Sequence, residues 1–296
     1  MKIYMFHYVN DKSFKYYHFD IKMLDSVIKK LKVDGKKIIS FSEFKQRLNR
    51  NDNLNNCVLL TFDDGTKDHY YNVYPILKEN NISGLFFISS NIINKKILDI
   101  NLIHRIISST DFDILYKNFL KKLDKYEIDD KLNENTVLTA YDDERMRYFK
   151  QMLQFLLPDN IRMEILYELA RENNVRLNFD DYYMTESQIL EMKANGMEFG
   201  FHSLNHKRLE KLTKEEQKVE IFQDYYDLLN KKLIEKDCAF AYPFGGYNNE
   251  TINLLKELEI NYSFAIEHKD FMKNDNLLKI PRYDCNVLKG DDFDES

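Results

Sequence analysis

Apolar positions along this chain follow two rhythms. Short apolar runs, read as strands, cover residues 2–8, 37–40, 56–62, 84–89, 197–202, 238–242, 262–266 and 278–283. Between them, apolar residues recur at helical spacing and predict helices over 21–33, 67–80, 186–195, 214–233 and 248–258. The helix at 186–195 is the best marked. Thr185 and Gln188 form a capping-box pattern at its start, and Asn195-Gly196 closes it. The chain then runs directly into Met197-Glu198-Phe199-Gly200-Phe201-His202, so His202 stands where a strand ends. Strand–helix alternation over this length predicts an α/β fold, a parallel sheet or barrel with outer helices.

Residues 95–184 break that rhythm. They are charged, Leu-rich and helical in pattern, with Pro158 as a break, and read as a helical insertion within one domain spanning 1–296. Asn-rich patches near 49–56 and 91–101 read as loops, and the acidic tail from Lys289 to Ser296 as a frayed end.

Composition narrows the function classes. A hydrophobic content of 44% with 31% charged residues is ordinary for a soluble globular protein. The net charge of −6 offers no global basic excess to meet phosphates, which argues against a sequence-independent nucleic-acid binder. Twenty Tyr and 21 Phe without Trp imply a bulky core, with a carbohydrate-stacking surface as the second reading. The three scattered cysteines, Cys57, Cys238 and Cys285, fit reduced thiols, two of them in apolar runs that suggest burial, and no C-x-x-C spacing suggests a thiolate zinc site. No run of about 18 apolar residues is present, which predicts no membrane span. The apolar start, Met1-Lys2-Ile3-Tyr4-Met5-Phe6, is too short for a signal h-region, so the expected location is the cytoplasm, with the inner membrane face as the second reading.

The chemistry concentrates at Thr61-Phe62-Asp63-Asp64-Gly65, where an apolar run ends in adjacent carboxylates and a glycine lets the chain turn. Two neighbouring acids at the mouth of a buried strand repel each other and lose water, a cost that a metal ion would relieve. His202-Ser203-Leu204-Asn205-His206 offers the missing ligands. In an extended strand the two imidazoles would stand about 13 Å apart; a helical or looped turn brings them to roughly 5–6 Å. The sequence therefore requires a strand ending at His202 and a turn through His206. His-x-x-x-His alone is more often a pair of surface histidines. With Asp64 it makes a His-His-Asp set with open positions for water and substrate. Asp63 then remains as a base for a water whose pKa the metal lowers.

Thr61-Phe62-Asp63-Asp64-Gly65 and His202-Ser203-Leu204-Asn205-His206 resemble the first two signature motifs of the polysaccharide deacetylases, the NodB-homology carbohydrate esterases. Phe240-Ala241-Tyr242-Pro243-Phe244-Gly245 resembles the third. The likeness covers roughly residues 1–90 and 184–285. It implies a distorted (β/α) barrel of the NodB-homology type, carrying the helical insertion, with a divalent metal, most often Zn2+, at the C-terminal ends of the strands. It also implies Asp63 as general base, Asp64, His202 and His206 as metal ligands, and the backbone N–H of Phe244 as an oxyanion donor beside Tyr242. The implied reaction is removal of an N-acetyl group from an amino sugar or glycan.

Two departures matter. Many members carry an arginine in the third motif that orients the base; here the motif reads Ala-Tyr-Pro-Phe-Gly, similar to the branch acting on poly-N-acetylglucosamine exopolysaccharides, and Arg282 is the candidate to take over the orienting role. The usual late strand ending in a histidine acid is also missing. His268 has Glu267 between it and its apolar run, and His7 in Tyr4-Met5-Phe6-His7-Tyr8-Val9 resembles the acid of the circularly permuted arrangement in that same branch. His69 reads as a solvent-facing helix position, and Tyr8 and Tyr247 equally as lining of the sugar site or as core or rim packing. Two other readings compete with the de-N-acetylase: a metal-dependent hydrolase of another C–N bond, such as a formamido sugar or cyclic amide, and a non-catalytic glycan-binding protein. Oligomeric state is not legible.

Overall fold

A computed structural model describes residues 1–15, 18–126 and 143–288. The expected frayed tail at 289–296 lies outside the described residues, as does the centre of the expected insertion, 127–142. The chain divides into two compact units. The first comprises residues 1–11, 17–96 and 182–296, the second 12–16 and 97–181.

Among its described residues the first unit has ten strands: β1 (Lys2–Phe6), β2 (Tyr8–Val9), β3 (His18–Phe19), β4 (Lys37–Ile38), β5 (Cys57–Phe62), β6 (Leu85–Ile88), β7 (Glu198–Phe201), β8 (Phe240–Ala241), β9 (Ser263–Phe264) and β10 (Tyr283–Asp284). Eight of them form one sheet in the order β10-β1-β5-β6-β7-β8-β9, with β4 on the foot of β5, and every pairing is parallel. β2 and β3 make a separate short ribbon. Beyond β9, Ile280 bridges Phe264, its N–H donating to Ser263 O and its C=O accepting from Ala265 N–H, both at 2.8 Å. The chain from Ile280 into β10 thus links β9 back to β1 and curls the sheet into a barrel. This is the α/β barrel architecture that the strand–helix alternation implies. A parallel sheet with helices outside buries both faces of its strands, which is why all six residues of β5 are buried and read as one apolar run.

Strand alternation sets what fills the barrel. Met1, Ile3, Cys57, Leu59, Leu85, Phe87, Ala239, Ala241, Phe264 and Ile280 belong to one buried cluster. Side chains two apart share a face, so the same inward rows continue toward the C-terminal strand ends as His7 from β1, Asp63 from β5, His202 from β7 and Arg282 after Ile280. The N–H of Asp63 donates to Phe6 O at 2.9 Å, which keeps the β1–β5 register past the last paired residues. Gly200 is required midway: a Cβ there would lie 2.3 Å from the carbonyl oxygen of Ala239.

The helix Phe41–Asn49 was not anticipated; its signal was Ser40, whose side chain accepts from the N–H of Glu43. The run 278–283 pairs as a strand only at its end, where Pro281 has already removed one ladder donor. Cys57, Cys238 and Cys285 are all buried. No described helix is long and apolar enough to cross a membrane.

In the second unit, helices Asp99–Ser109, Phe112–Lys125, Glu144–Gln151 and Asp159–Glu172 enclose Ile103, Ile106, Leu115, Phe119, Phe149 and Leu166. Arg162 pairs with Asp99 and Asp159, and Lys122 with Glu168 and Glu172. Residues 12–16 belong to this unit although they lie far outside the expected insertion at 95–184.

Candidate active site

Strand ends and left-handed turns deliver the site residues. Asp64 (φ 77°) and Gly65 (φ 65°) turn the chain sharply off β5, while Ser203 (φ 71°) and His206 (φ 52°) shape the loop after β7. Phe244 (φ 56°) turns the chain after β8. Each such non-glycine residue costs roughly 1–2 kcal/mol, so this concentration marks a place where packing and hydrogen bonds overrule local preference.

Asp63 and Asp64 have separate partners. Arg282 grips Asp63 with two parallel bonds, Nη1 to Oδ1 at 2.7 Å and Nη2 to Oδ2 at 2.8 Å. The guanidinium is itself fully buried. It donates further to Thr61 Oγ1 at 3.1 Å and Ala265 O at 3.3 Å, and lies 5.4 Å and 5.9 Å from the ring centroids of Phe87 and Phe264. Burial, the largest single effect, would raise the Asp63 pKa, but the charge and hydrogen bonds of Arg282, together with the nearby His202, outweigh it and hold the carboxyl below the usual range. Asp63 is therefore an ionised carboxylate of fixed orientation.

Asp64 faces the histidines. Its Oδ1 is 3.6 Å from His202 Nε2 and 3.5 Å from His206 Nε2. The imidazoles are 4.7 Å apart, nearly perpendicular, and both are buried. Burial lowers both histidine pKa values, that of His206 to about 4, so both rings are neutral near pH 7. His202 Nδ1 lies 2.8 Å from Ala241 O, and since a carbonyl only accepts, the proton is on Nδ1 and the Nε2 lone pair points at Asp64.

These distances exceed those of good hydrogen bonds. They match donor atoms sharing one cation, because ligands about 2.0–2.2 Å from a tetrahedral ion stand roughly 3.3–3.6 Å apart. Among the described residues, Asp64, His202 and His206 form the one group able to hold a metal ion, with donor atoms within 4.8 Å of one another. The donor set of one carboxylate and two neutral imidazoles fits a metal ion.

The remaining expected residues divide. His7 is half-buried directly after β1. Phe244 packs its ring edge-on to His206, with centroids 4.7 Å apart. Tyr242 does not contribute as expected. Its N–H donates to Phe264 O at 3.0 Å, its hydroxyl to Leu278 O at 2.7 Å, and it is fully buried, so neither donor reaches the site. The reason is alternation: Ala241, its neighbour, takes the barrel-facing position.

With this geometry in hand, sequence comparison decides the family. The profile for polysaccharide deacetylases matches residues 50–128 and 129–263. The chain belongs to the polysaccharide deacetylase family. His7 and Arg282 lie outside the matched residues. Among solved structures, this deacetylase is similar to the deacetylase PplD of Streptococcus pyogenes, determined with acetate (TM-score 0.60, 19% identity, 96% of this chain and 91% of that one). It is similar also to a de-N-acetylase from Aggregatibacter actinomycetemcomitans (TM-score 0.57, 17% identity, 95% and 93%). IcaB from Ammonifex degensii is a third (TM-score 0.59, 16% identity, 95% and 90%). At these identities the likeness concerns the fold. No curated protein matches in sequence.

Sequence reasoning missed the supports of this deacetylase's site. His69, expected to face solvent, is fully buried, and its Nε2–H donates to His7 O at 2.6 Å. Asp68 accepts from the N–H of Val9, and Asn72 Nδ2 donates to Val9 O at 2.8 Å. One helix start thus holds the loop that carries His7. On the far side, Asp224 accepts from the backbone N–H groups of Ser90 and His202, and burial pushes its pKa up to about 7. The spacing of Asp68, His69 and Asn72 was visible as one helix face; their partner, 60 residues upstream, was not.

Proposed function

We propose that this protein is a metal-dependent hydrolase that removes an N-acetyl group from an amino sugar within a glycan, acting in glycan biosynthesis and releasing acetate and a free amine. The observation that carries this reading is the division of labour between adjacent carboxylates. Asp63 is chelated by Arg282, and Asp64 lies 3.5–3.6 Å from two neutral imidazole nitrogens.

Asp64, His202 and His206 would hold the ion, most suitably Zn2+, which three N and O ligands leave open on one side. A divalent cation there supplies Lewis acidity, lowering the pKa of a water and polarising the acyl oxygen. The protein's own residues do the rest. Asp63, kept ionised and oriented by Arg282, accepts the proton of the attacking water. The backbone N–H of Phe244, turned by its left-handed conformation, donates to the acyl oxygen as negative charge develops there. His7, at the same level of the barrel as Asp63, delivers a proton to the departing amine nitrogen.

The test combines metal analysis of the purified full chain with an acetate-release assay on a panel of N-acetylated sugars and glycans. About one zinc-like ion per chain is expected, with acetate release that Asp63→Asn abolishes while leaving the metal bound. Bound metal without acetate from any substrate would move the assignment to another C–N bond, such as a formamide. No metal uptake would refute the catalytic reading.

A further inference from the structure

The loop carrying both candidate histidine ligands is tied at every intervening residue to one residue, Glu220. Glu220, on the helix that follows the loop, is buried at 4 % exposure. Its Oε2 accepts from Ser203 Oγ at 2.7 Å and from the N–H of Asn205 at 2.8 Å. Its Oε1 accepts from Asn205 Nδ2 at 2.8 Å, and its backbone carbonyl accepts from the N–H of Leu204 at 3.0 Å. One helical turn later, Asp224 takes the N–H of His202 at 3.3 Å. Ser203, Leu204 and Asn205 are thus all bound to Glu220, while the loop holds two left-handed non-glycine residues, Ser203 and His206. Such backbone angles are sparsely populated in free chains, so the conformation depends on what grips it. The grip ends at Asn205, the residue directly before His206.

We propose that Glu220 is a positioning residue for the metal centre: it fixes the His202–His206 loop in the conformation where both Nε2 atoms face Asp64, and thereby sets the affinity for the divalent ion. This rests on the metal reading above. Glu220 touches neither the donor atoms nor the space between them. It acts through the backbone of the loop, as outer-shell carboxylates act through the ligands they orient.

Zinc titration of the metal-stripped full chain tests this, by calorimetry against a competing chelator, with the visible absorption of the Co2+ form as a report of ligand geometry. Glu220→Ala is expected to weaken zinc binding by roughly 10–100-fold and to alter the Co2+ bands. Glu220→Gln should fall between Glu220→Ala and wild type, since its amide oxygen can still accept from Ser203 and the Asn205 N–H while its NH2 cannot accept from Asn205 Nδ2. Should Glu220→Ala fail to fold, as circular dichroism would show, the double variant Ser203→Ala/Asn205→Ala carries the test. It removes two of the three side-chain-mediated bonds and leaves the carboxylate in place. A folded Glu220→Ala or double variant with wild-type zinc affinity and Co2+ bands overturns the inference, provided His206→Ala abolishes binding in the same assay. A wild-type chain that takes up no zinc overturns the metal reading and this inference together.

Discussion

Replacing Arg282 by Met would probe the most consequential contact in the barrel. The side chain is fully buried and supplies both bonds to Asp63, which is 1 % exposed. Methionine fills much of the volume between Phe87 and Phe264 but leaves a buried carboxylate without its counter-charge. Breaking a buried pair in this way costs about 3–5 kcal/mol. Unfolding entropy is about 2.1 cal/mol/K per residue, or ~0.6 kcal/mol/K for a chain of this length, so Tm should fall by roughly 5–8 °C. The loss has a pH signature. In the wild type the Asp63 pKa is depressed, so its contribution is complete above the unfolded value of about 3.9 and is lost only as pH falls through the lower folded value. In the variant, burial loses its main counterweight and moves the folded pKa upward. The site is then most stable protonated, and destabilisation grows as pH rises through the raised value. Thermal melts from pH 5 to 8 should show the gap between variant and wild type widening with pH, and the acid limb of acetate release should move upward. Arg282→Lys, which keeps charge without the two-pronged grip, should recover part of both. A Tm gap that is absent, or independent of pH, would falsify the role assigned to this pair.

Further outcomes are expected at Gly200, Asp224, His7 and His69. Gly200→Ala drives a methyl to 2.3 Å from the Ala239 carbonyl oxygen; overpacking of about 1–3 kcal/mol or more should appear as a lower urea midpoint, and an unchanged midpoint would contradict the close β7–β8 approach. Asp224 has a folded pKa of about 7, raised by burial above the unfolded value near 3.9, so its contribution is full below about pH 4 and is lost as pH rises through 7. In metal-free protein, Asp224→Asn should therefore gain stability relative to wild type at pH 8, on the order of a few kcal/mol, with the difference vanishing near pH 4; an equal or opposite trend rejects the buried-acid account. His7→Ala should lower turnover about 10²–10⁴-fold. His69→Phe, which lacks the donor to His7 O, should reduce kcat while leaving zinc affinity intact, and His69→Gln, which retains an N–H, should restore part of it. Identical kcat in all three would remove the acid role from this loop.

Much of the site was legible because chemistry and strand alternation are local. The run Cys57–Phe62 and the adjacent acids after it marked a buried strand end, and the capping box at Thr185 placed His202 at the end of the next ligand-bearing strand. The need for a turn between His202 and His206 followed from the reach of an imidazole alone, and the positive φ of Ser203 and His206 supplies it. Tyr242 was named by resemblance alone: it belongs to a motif that resembles an active-site segment, and alternation places it opposite the barrel interior.

What the sequence determined was which residues have the right chemistry and which strands they terminate, since both depend on a few neighbours. What only tertiary structure decided was who meets whom. Arg282 reaches Asp63 across 219 positions because the chain after β9 closes the barrel onto β1. Glu220 and His69 act on backbone groups of loops whose neighbours in space no local pattern encodes. Hydrogen bonds to backbone are indifferent to the partner's side chain, so they leave no residue signature at the receiving end, and the supports of the site stay invisible until the fold is known.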